Sequence, residues 1–177
     1  HQRFLANLRD EHARAAPMAE FLTRLRGRLN AASGDGLVRR TLDEAEVALM
    51  GVHLPPALMH GDFAPWNLRT KQGNVAAFDW EYGVIEGVPW LDELHHVWQT
   101  CILLDKLAPT VIVQTLDAHA LTLPANLDAT QARALVSLYL VHGLIHRFEL
   151  GCDDADSLVQ GYRAALRARP VAREVLV

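Results

Sequence analysis

The chain has 177 residues, of which 50% are hydrophobic, and a formal net charge of −4. This length suits one domain or one lobe of a larger protein, and the composition allows a sizeable core and argues against disorder. The charge supplies no broad basic surface, so we expect no nucleic-acid partner. We find no signal peptide and no apolar run near the roughly 18–20 residues that span a bilayer, so we expect a cytoplasmic protein without a membrane partner.

The first part of the chain predicts three helices. Apolar residues recur at near-helical spacing in residues 2–15, in residues 18–29 and in residues 38–49. Pro17 suits the first turn of the second helix, because proline there sacrifices no hydrogen bond. Residues 33–36 predict a turn, and the third helix is expected to end near Gly51, before the prolines at 55 and 56.

Short apolar runs then replace the helical spacing. Residues 58–60, 68–69 and 75–78 predict three short strands. The turn at residues 71–74 joins the last two strands as a hairpin, since Gly73 is free to take a positive φ. This hairpin is expected to bring Asp79 back beside Asp62 and Asn67.

Four helices are expected after Pro89. They cover residues 90–102, residues 111–116, a long segment that stops at Gly151, and a last segment that ends before Pro170. The candidate caps of the last two helices are Asp128 or Thr130, and Asp156 or Ser157. The tail, residues 171–177, adds a final turn or frays. The predicted fold class is α+β and mainly helical, with a small β-hairpin insertion that carries the polar residues.

A polar constellation lies in the segment HGDFAPWNLRTKQGNVAAFD, residues 60–79. Asp62 follows a predicted strand, on a loop that Pro65 stiffens, and can orient or deprotonate a substrate hydroxyl. Asn67 and Asp79 offer hard oxygen ligands, which suit Mg²⁺. A proton-accepting aspartate beside a magnesium site is what phosphoryl transfer from ATP requires. A turn residue, a left-handed residue and a loop cap are the purely structural alternatives for these three side chains.

The run HGDFAPWN, followed by FDWE, resembles the catalytic and metal-binding segments of the aminoglycoside phosphotransferase/choline kinase family of small-molecule kinases. These enzymes are relatives of protein kinases. Gly61 stands where protein kinases usually carry arginine, and Trp80 and Glu81 replace the last two residues of Asp-Phe-Gly. Both departures point to the small-molecule branch of the family.

The resemblance implies a role for each residue of the site. It makes Asp62 the catalytic aspartate, and Asn67 and Asp79 the ligands of Mg²⁺. His60 is then a structural residue that packs the loop. Asp92 corresponds to an aspartate that steadies the catalytic region from the following helix.

The resemblance also implies that residues 1–177 form a protein-kinase-like C-terminal lobe. Such a lobe transfers the ATP γ-phosphoryl group to a hydroxyl of an aminoglycoside-, sugar- or amino-alcohol-like molecule. A kinase also needs a glycine-rich loop and a lysine for the phosphates, but the sequence has no G-x-G-x-x-G, and Lys71 and Lys106 both follow Asp62. We therefore expect the N-terminal ATP-binding lobe to be absent from this chain, which would then be weak or inactive alone. The surface that this lobe covers is a candidate for self-association.

Two other functions stay open. A non-catalytic kinase-like binding or interaction module would explain the missing lysine, whereas the intact constellation of Asp62, Asn67 and Asp79 favours chemistry. A protein kinase is disfavoured by Gly61 and by the residues after Asp79.

Several further residues are weaker candidates. Trp66, Trp80 and Glu81 adjoin the predicted site and are candidates for ligand contact. The histidine pairs at 95–96 and 142–146 could share a zinc ion, but no third ligand is indicated, so core or rim packing is preferred. The acidic run at residues 153–156 could attract a cationic substrate, but a solvated helix N-terminus explains it at least as well. The two cysteines, Cys101 and Cys152, suggest no disulfide framework.

Overall fold

The structure, a computed structural model, describes residues 16–32, 36–54, 56–123 and 127–169. The predicted helix at residues 2–15, three residues of the turn predicted at 33–36, and the tail from residue 170 lie outside these ranges. Within them the fold is mainly helical, with six helices and small antiparallel sheets, which confirms the predicted balance of secondary structure.

The helices match the apolar periodicity closely. They are α1 (Met18–Ala32), α2 (Gly36–Ala48), α3 (Leu91–Gln99), α4 (Pro109–Ala120), α5 (Ala129–Glu149) and α6 (Ser157–Ala168). A π-helical turn, Thr100–Leu104, continues α3. Gly36 begins α2 and does not belong to the predicted turn. None of the helices in the described ranges is long and apolar enough to cross a membrane.

The strands form three two-stranded sheets. They are β1 (Ala16–Pro17) with β2 (His53–Leu54), β3 (Ala57–Met59) with β6 (Val84–Gly87), and β4 (Leu68–Lys71) with β5 (Asn74–Ala77). The β4–β5 pair is the predicted hairpin, with Lys71 opposite Asn74. The sequence interpretation missed β1, β2 and β6. A bulge interrupts the β3–β6 pair, and a Cβ atom at Gly87 would lie only 2.5 Å from Cβ of Met59.

Helix α5 is the centre of the core. It packs against α1, α2, α3, α4 and α6, so it is apolar around most of its circumference. Leu135, Leu138 and Leu144 are all fully buried. The helix begins with a capping box in which the Asp128 carboxylate accepts from Gln131 N at 2.8 Å and the Gln131 amide oxygen accepts from Asp128 N at 3.0 Å. This resolves the choice of cap in favour of Asp128.

Helix α6 closes the bundle beside α5. Its cap is Asp156, whose carboxylate accepts from Leu158 N and Val159 N at 3.0 Å each. The same carboxylate pairs with Arg147 at 3.1 Å. Part of the acidic run therefore caps a helix and is already paired with a cation.

Gly143 makes room in α5 for an aromatic ring of α6. A Cβ atom at this position would lie 2.5 Å from Tyr162 Cζ and 2.6 Å from its hydroxyl oxygen. We expect Gly143→Ala to destabilise the protein by about 1–3 kcal/mol through overpacking, which outweighs the roughly 1 kcal/mol that alanine gains in helix propensity. The free energy of unfolding from urea denaturation measures this effect.

Gly27 is the matched control, because it is an exposed glycine inside α1 and, apart from its chain neighbours and the adjoining helix backbone, nothing lies within 4 Å of the place that a Cβ atom would take there. Gly27→Ala is expected to stabilise the protein by up to about 1 kcal/mol. Equal stabilisation by both substitutions would show that Tyr162 does not need the space at Gly143.

Candidate active site

The loop after β3 is shaped by Gly61. This residue has φ +83°, and a Cβ atom there would lie 2.5 Å from the carbonyl oxygen of Tyr82. Both the left-handed backbone and the close approach require glycine. The loop continues through Asp62 into a 3₁₀ turn, Pro65–Asn67, in which proline occupies the first position. Gly61 thereby sets the direction in which the chain presents Asp62.

The buried carboxylate of Asp92, in the first turn of α3, holds this loop. Its Oδ2 accepts from His60 N at 2.6 Å and its Oδ1 accepts from Gly61 N at 3.0 Å. Burial raises the pKa of Asp92, and the two backbone donors partly oppose that shift. Two consecutive amides of the loop are thus tied to one side chain of the helix.

His60 is fully buried beneath the loop. Its Nε2 lies 2.7 Å from the Phe78 carbonyl oxygen, and its Nδ1 lies 3.3 Å from Asp62 N. Since a carbonyl only accepts, the proton is on Nε2, and Nδ1 then accepts from the backbone. The ring therefore links the loop to the end of β5.

Asp62 lies at the end of this framework with both carboxylate oxygens engaged. Oδ1 is 2.9 Å from His95 Nε2, and Oδ2 accepts from Asn67 Nδ2 at 2.9 Å. The hydrogen bond from His95, with a smaller one from Asn67, lowers the pKa of Asp62 against the effect of burial. The group is consequently an ionised carboxylate at neutral pH.

The hairpin brings Asp79 close to Asn67 along the backbone. Phe78 N donates to Asn67 O at 2.9 Å, and Asp79 directly follows Phe78 in the chain. Asp79 is exposed and has φ +65°, a left-handed conformation that few non-glycine residues adopt and that aspartate tolerates better than most. Asn67 turns its amide nitrogen towards Asp62, also donating to Asp62 O at 2.9 Å, which leaves its Oδ1 for another partner.

A cavity of about 230 Å³ adjoins Asp62. It lies between the loop, residues 81–82 and helices α3, α5 and α6. Its polar lining includes Glu81, Asp92, His95, His142, Arg147 and Tyr162.

Two histidines on α5 contribute one wall of this cavity. Burial, together with the nearby Arg28, lowers the pKa of His142 to about 3, and burial also lowers the pKa of His146. Both rings are therefore neutral at physiological pH. In the described ranges, no group of three or more histidine, cysteine, aspartate and glutamate side chains is arranged to hold a metal ion.

The remaining candidates are Trp66, Trp80 and Glu81. Trp80 donates from Nε1 to Ala77 O at 3.0 Å, and its ring lies 4.6 Å from that of His60. Trp66 is 42% exposed, and Glu81 lines the cavity. Phe78, Val84 and Ile85 are exposed as well.

His95 is the site residue that the sequence interpretation missed. The sequence marks it only as half of a histidine pair, yet it contacts the Asp62 carboxylate directly. Gln99, Tyr139 and Tyr162 join it in the same region and were also given no role. The available signal was spacing, because His95 follows Asp92 by three residues and so lies on the same face of α3.

Comparison with known proteins adds one finding. A family model described as the phosphotransferase enzyme family matches residues 2–150. No curated protein matches the chain, and neither does any solved structure.

Proposed function

Because the chain belongs to the phosphotransferase enzyme family, as the resemblance of its loop implied, we propose that it transfers the ATP γ-phosphoryl group to a hydroxyl of a small molecule. Asp62 orients that hydroxyl and accepts its proton. The observation that carries this proposal is an ionised carboxylate, held by His95 and Asn67, at the wall of a cavity.

The protonation state of Asp62 suits this reaction. A carboxylate has about four lone-pair positions, and His95 and Asn67 occupy two of them. The others can accept the hydrogen bond of a substrate hydroxyl. The lowered pKa makes Asp62 a weak base, which is sufficient because a loose phosphoryl-transfer transition state needs little early proton removal. Asp62 therefore acts mainly by orienting the acceptor.

The donor set at Asn67 and Asp79 fits Mg²⁺. Its ligands would be the Asn67 amide oxygen and the Asp79 carboxylate, both hard oxygens. Protein sites for Mg²⁺ commonly supply one or two ligands and leave the others to phosphate and water. When bound, the ion neutralises charge on the ATP phosphates. The left-handed backbone of Asp79 is the kind of local strain that clusters at functional positions.

The acceptor is best sought among small, amine-bearing molecules. Pockets for drug-sized ligands occupy roughly 300–1,000 Å³, so a cavity of about 230 Å³ suits a small acceptor or one ring of a larger one. Asp62 and Glu81 contribute carboxylates to its wall, while Arg147 is already paired with Asp156. With His142 neutral, the balance of charge favours a cationic group on the acceptor.

A substrate panel tests this proposal. Acceptor-dependent ADP formation is measured with ATP and Mg²⁺ for aminoglycosides, hexoses and amino alcohols, and the phosphorylated product is identified by ³¹P NMR. We expect at least one amine-bearing class to raise ADP formation and to require Mg²⁺. The protein is tested as its gene encodes it.

Two outcomes would contradict the proposal. If no acceptor in the three classes raises ADP formation above the rate measured without acceptor, a non-catalytic kinase-like module is favoured. If acceptors that lack an amine are preferred, the phosphotransfer stands, but the inference that the cavity favours a cationic group is wrong.

A further inference from the structure

A chain of hydrogen bonds leads from Asp62 into the helical core. His95 Nε2 is 2.9 Å from Asp62 Oδ1, and His95 Nδ1 is 3.1 Å from the Tyr139 hydroxyl. That hydroxyl lies 3.3 Å from the hydroxyl of Tyr162. Four side chains from the loop, α3, α5 and α6 are thus connected in series.

The proton positions along this chain follow from the chemistry of its ends. An ionised carboxylate only accepts, so His95 Nε2 carries a proton and donates to Asp62. Nδ1, the other ring nitrogen, then accepts from the Tyr139 hydroxyl. Tyr162 in turn donates to the Tyr139 oxygen. Burial raises the pKa of Tyr162 to about 12 and that of Tyr139 well above its usual value, so both hydroxyls keep their protons.

Packing holds the two tyrosines in place. The Trp98 ring stacks on Tyr162 at 4.4 Å between centroids and meets Tyr139 edge to face at 6.5 Å. Both tyrosines are about 2% exposed, and Gly143 leaves room for the second ring. The Gln99 amide nitrogen lies 3.1 Å from His95 Nε2, but both groups are donors, so this contact is packing and not a hydrogen bond.

We propose that His95, with its ring oriented by Tyr139 and Tyr162, is the positioning residue that orients Asp62 towards the acceptor hydroxyl. This inference rests on the proposed phosphotransfer. The imidazole holds one of the two carboxylate oxygens of Asp62 by a hydrogen bond of 2.9 Å. Asp62 keeps the imidazole proton on Nε2, and the hydroxyl of Tyr139 at Nδ1 holds the ring in the orientation that faces Asp62.

Other charged and titratable groups also face Asp62 across the cavity. Between β5 and β6 these are Glu81 and Tyr82, on α3 Asp92, and on α5 His142, His146 and Arg147. The test therefore needs a readout that belongs to Asp62 itself and not only a change in total activity.

The first experiment measures the Asp62 carboxyl by ¹³C NMR titration, with its signal assigned through Asp62→Asn. We expect a midpoint below the usual aspartate range in the wild type and a higher midpoint in His95→Leu. His95→Gln, which keeps a donor near the position of Nε2, should fall between the two. His119→Gln, on α4 and outside the cavity, is the matched histidine control and should leave the midpoint unchanged.

The second experiment reads the imidazole directly, through long-range ¹H–¹⁵N spectra of the wild type and Tyr139→Phe. The wild type should show the His95 proton on Nε2, and Tyr139→Phe should keep that tautomer but shift the Nδ1 signal, because Nδ1 loses its hydroxyl donor. This readout needs no leucine variant, so it decides the inference even if His95→Leu does not fold. A wild-type proton on Nδ1, an imidazolium at neutral pH, or equal Asp62 midpoints in wild type and His95→Leu would overturn it.

Kinetics separate this inference from the proposed function. With the acceptor identified by the panel, His95→Leu should lower kcat by about 10- to 100-fold with little change in KM. It should also move the acid limb of the kcat/KM profile to higher pH, because the pKa of Asp62 rises. Unchanged kcat and an unchanged acid limb would reject the role of His95 in an active enzyme. If the NMR results are as expected but no acceptor in the panel is phosphorylated, the proposed phosphotransfer is rejected instead.

Discussion

Asp62→Asn is expected to lower kcat by about 10³- to 10⁴-fold, because it disturbs the orientation of the acceptor hydroxyl and removes the group that accepts its proton. Asparagine has nearly the same volume but cannot take a proton from the acceptor hydroxyl. Its amide nitrogen would also face one of the two donors, His95 or Asn67, that now converge on the carboxylate. Orientation and proton acceptance are therefore lost together. Steady-state ADP formation with the acceptor from the panel measures the loss.

Nucleotide binding and folding separate this effect from damage to the site. We expect Asp62→Asn to bind Mg²⁺–ATP within a few-fold of the wild type, by calorimetry, and to unfold at a similar temperature. Asp105→Asn, an exposed aspartate beyond α3, should leave kcat unchanged. Turnover by Asp62→Asn within a few-fold of wild type would remove the role assigned to Asp62.

The helices were predictable because the information that specifies them is local. Leu135, Leu138 and Leu144 repeat at helical spacing, and Asp128 with Gln131 forms a cap within four residues. The β4–β5 hairpin was predictable for the same reason, since its turn and both strands lie within residues 68–77. Neither prediction needed knowledge of the rest of the molecule.

Strand β6 was not predictable from its own residues. Val84 and Ile85 are exposed, so the segment lacks the alternation that marks a half-buried strand. Its pairing depends on β3, far away in the sequence, and on the close approach of Gly87 to Met59. Contacts of this kind depend on the tertiary fold, so the sequence of a single short strand gives little indication of them.

The candidate site likewise combines residues that local sequence predicts with residues that only the tertiary fold brings together. Asp62 and Asn67 share one loop. The β4–β5 hairpin brings Phe78, the residue before Asp79, into a backbone hydrogen bond with Asn67. His95 reaches Asp62 only because α3 packs against the loop, and its tyrosine partners come from α5 and α6. The sequence carries no local mark of that convergence beyond the spacing from Asp92.

Replacing Asp92 is expected to damage both stability and activity, since one buried carboxylate satisfies two loop amides. Asp92→Ala leaves His60 N and Gly61 N without their acceptor. An unsatisfied buried donor costs about 1–3 kcal/mol, and hydrogen bonds to charged groups contribute at the upper end of the usual range. We expect the free energy of unfolding to fall by about 3–5 kcal/mol, as measured by urea denaturation.

Asp92→Asn distinguishes the hydrogen bonds from simple packing. Asparagine fills the same space, but its amide nitrogen opposes one of the two backbone donors, so we expect a loss of about 1–3 kcal/mol, smaller than that of alanine. Asp43→Ala is the control, because Asp43 forms an exposed ion pair with Arg26 and such pairs contribute at most about 1 kcal/mol. Since the loop carries Asp62, activity should fall in both Asp92 variants even at temperatures where they remain folded. Wild-type kcat in a folded Asp92→Ala protein would show that the tie between α3 and the loop does not position Asp62.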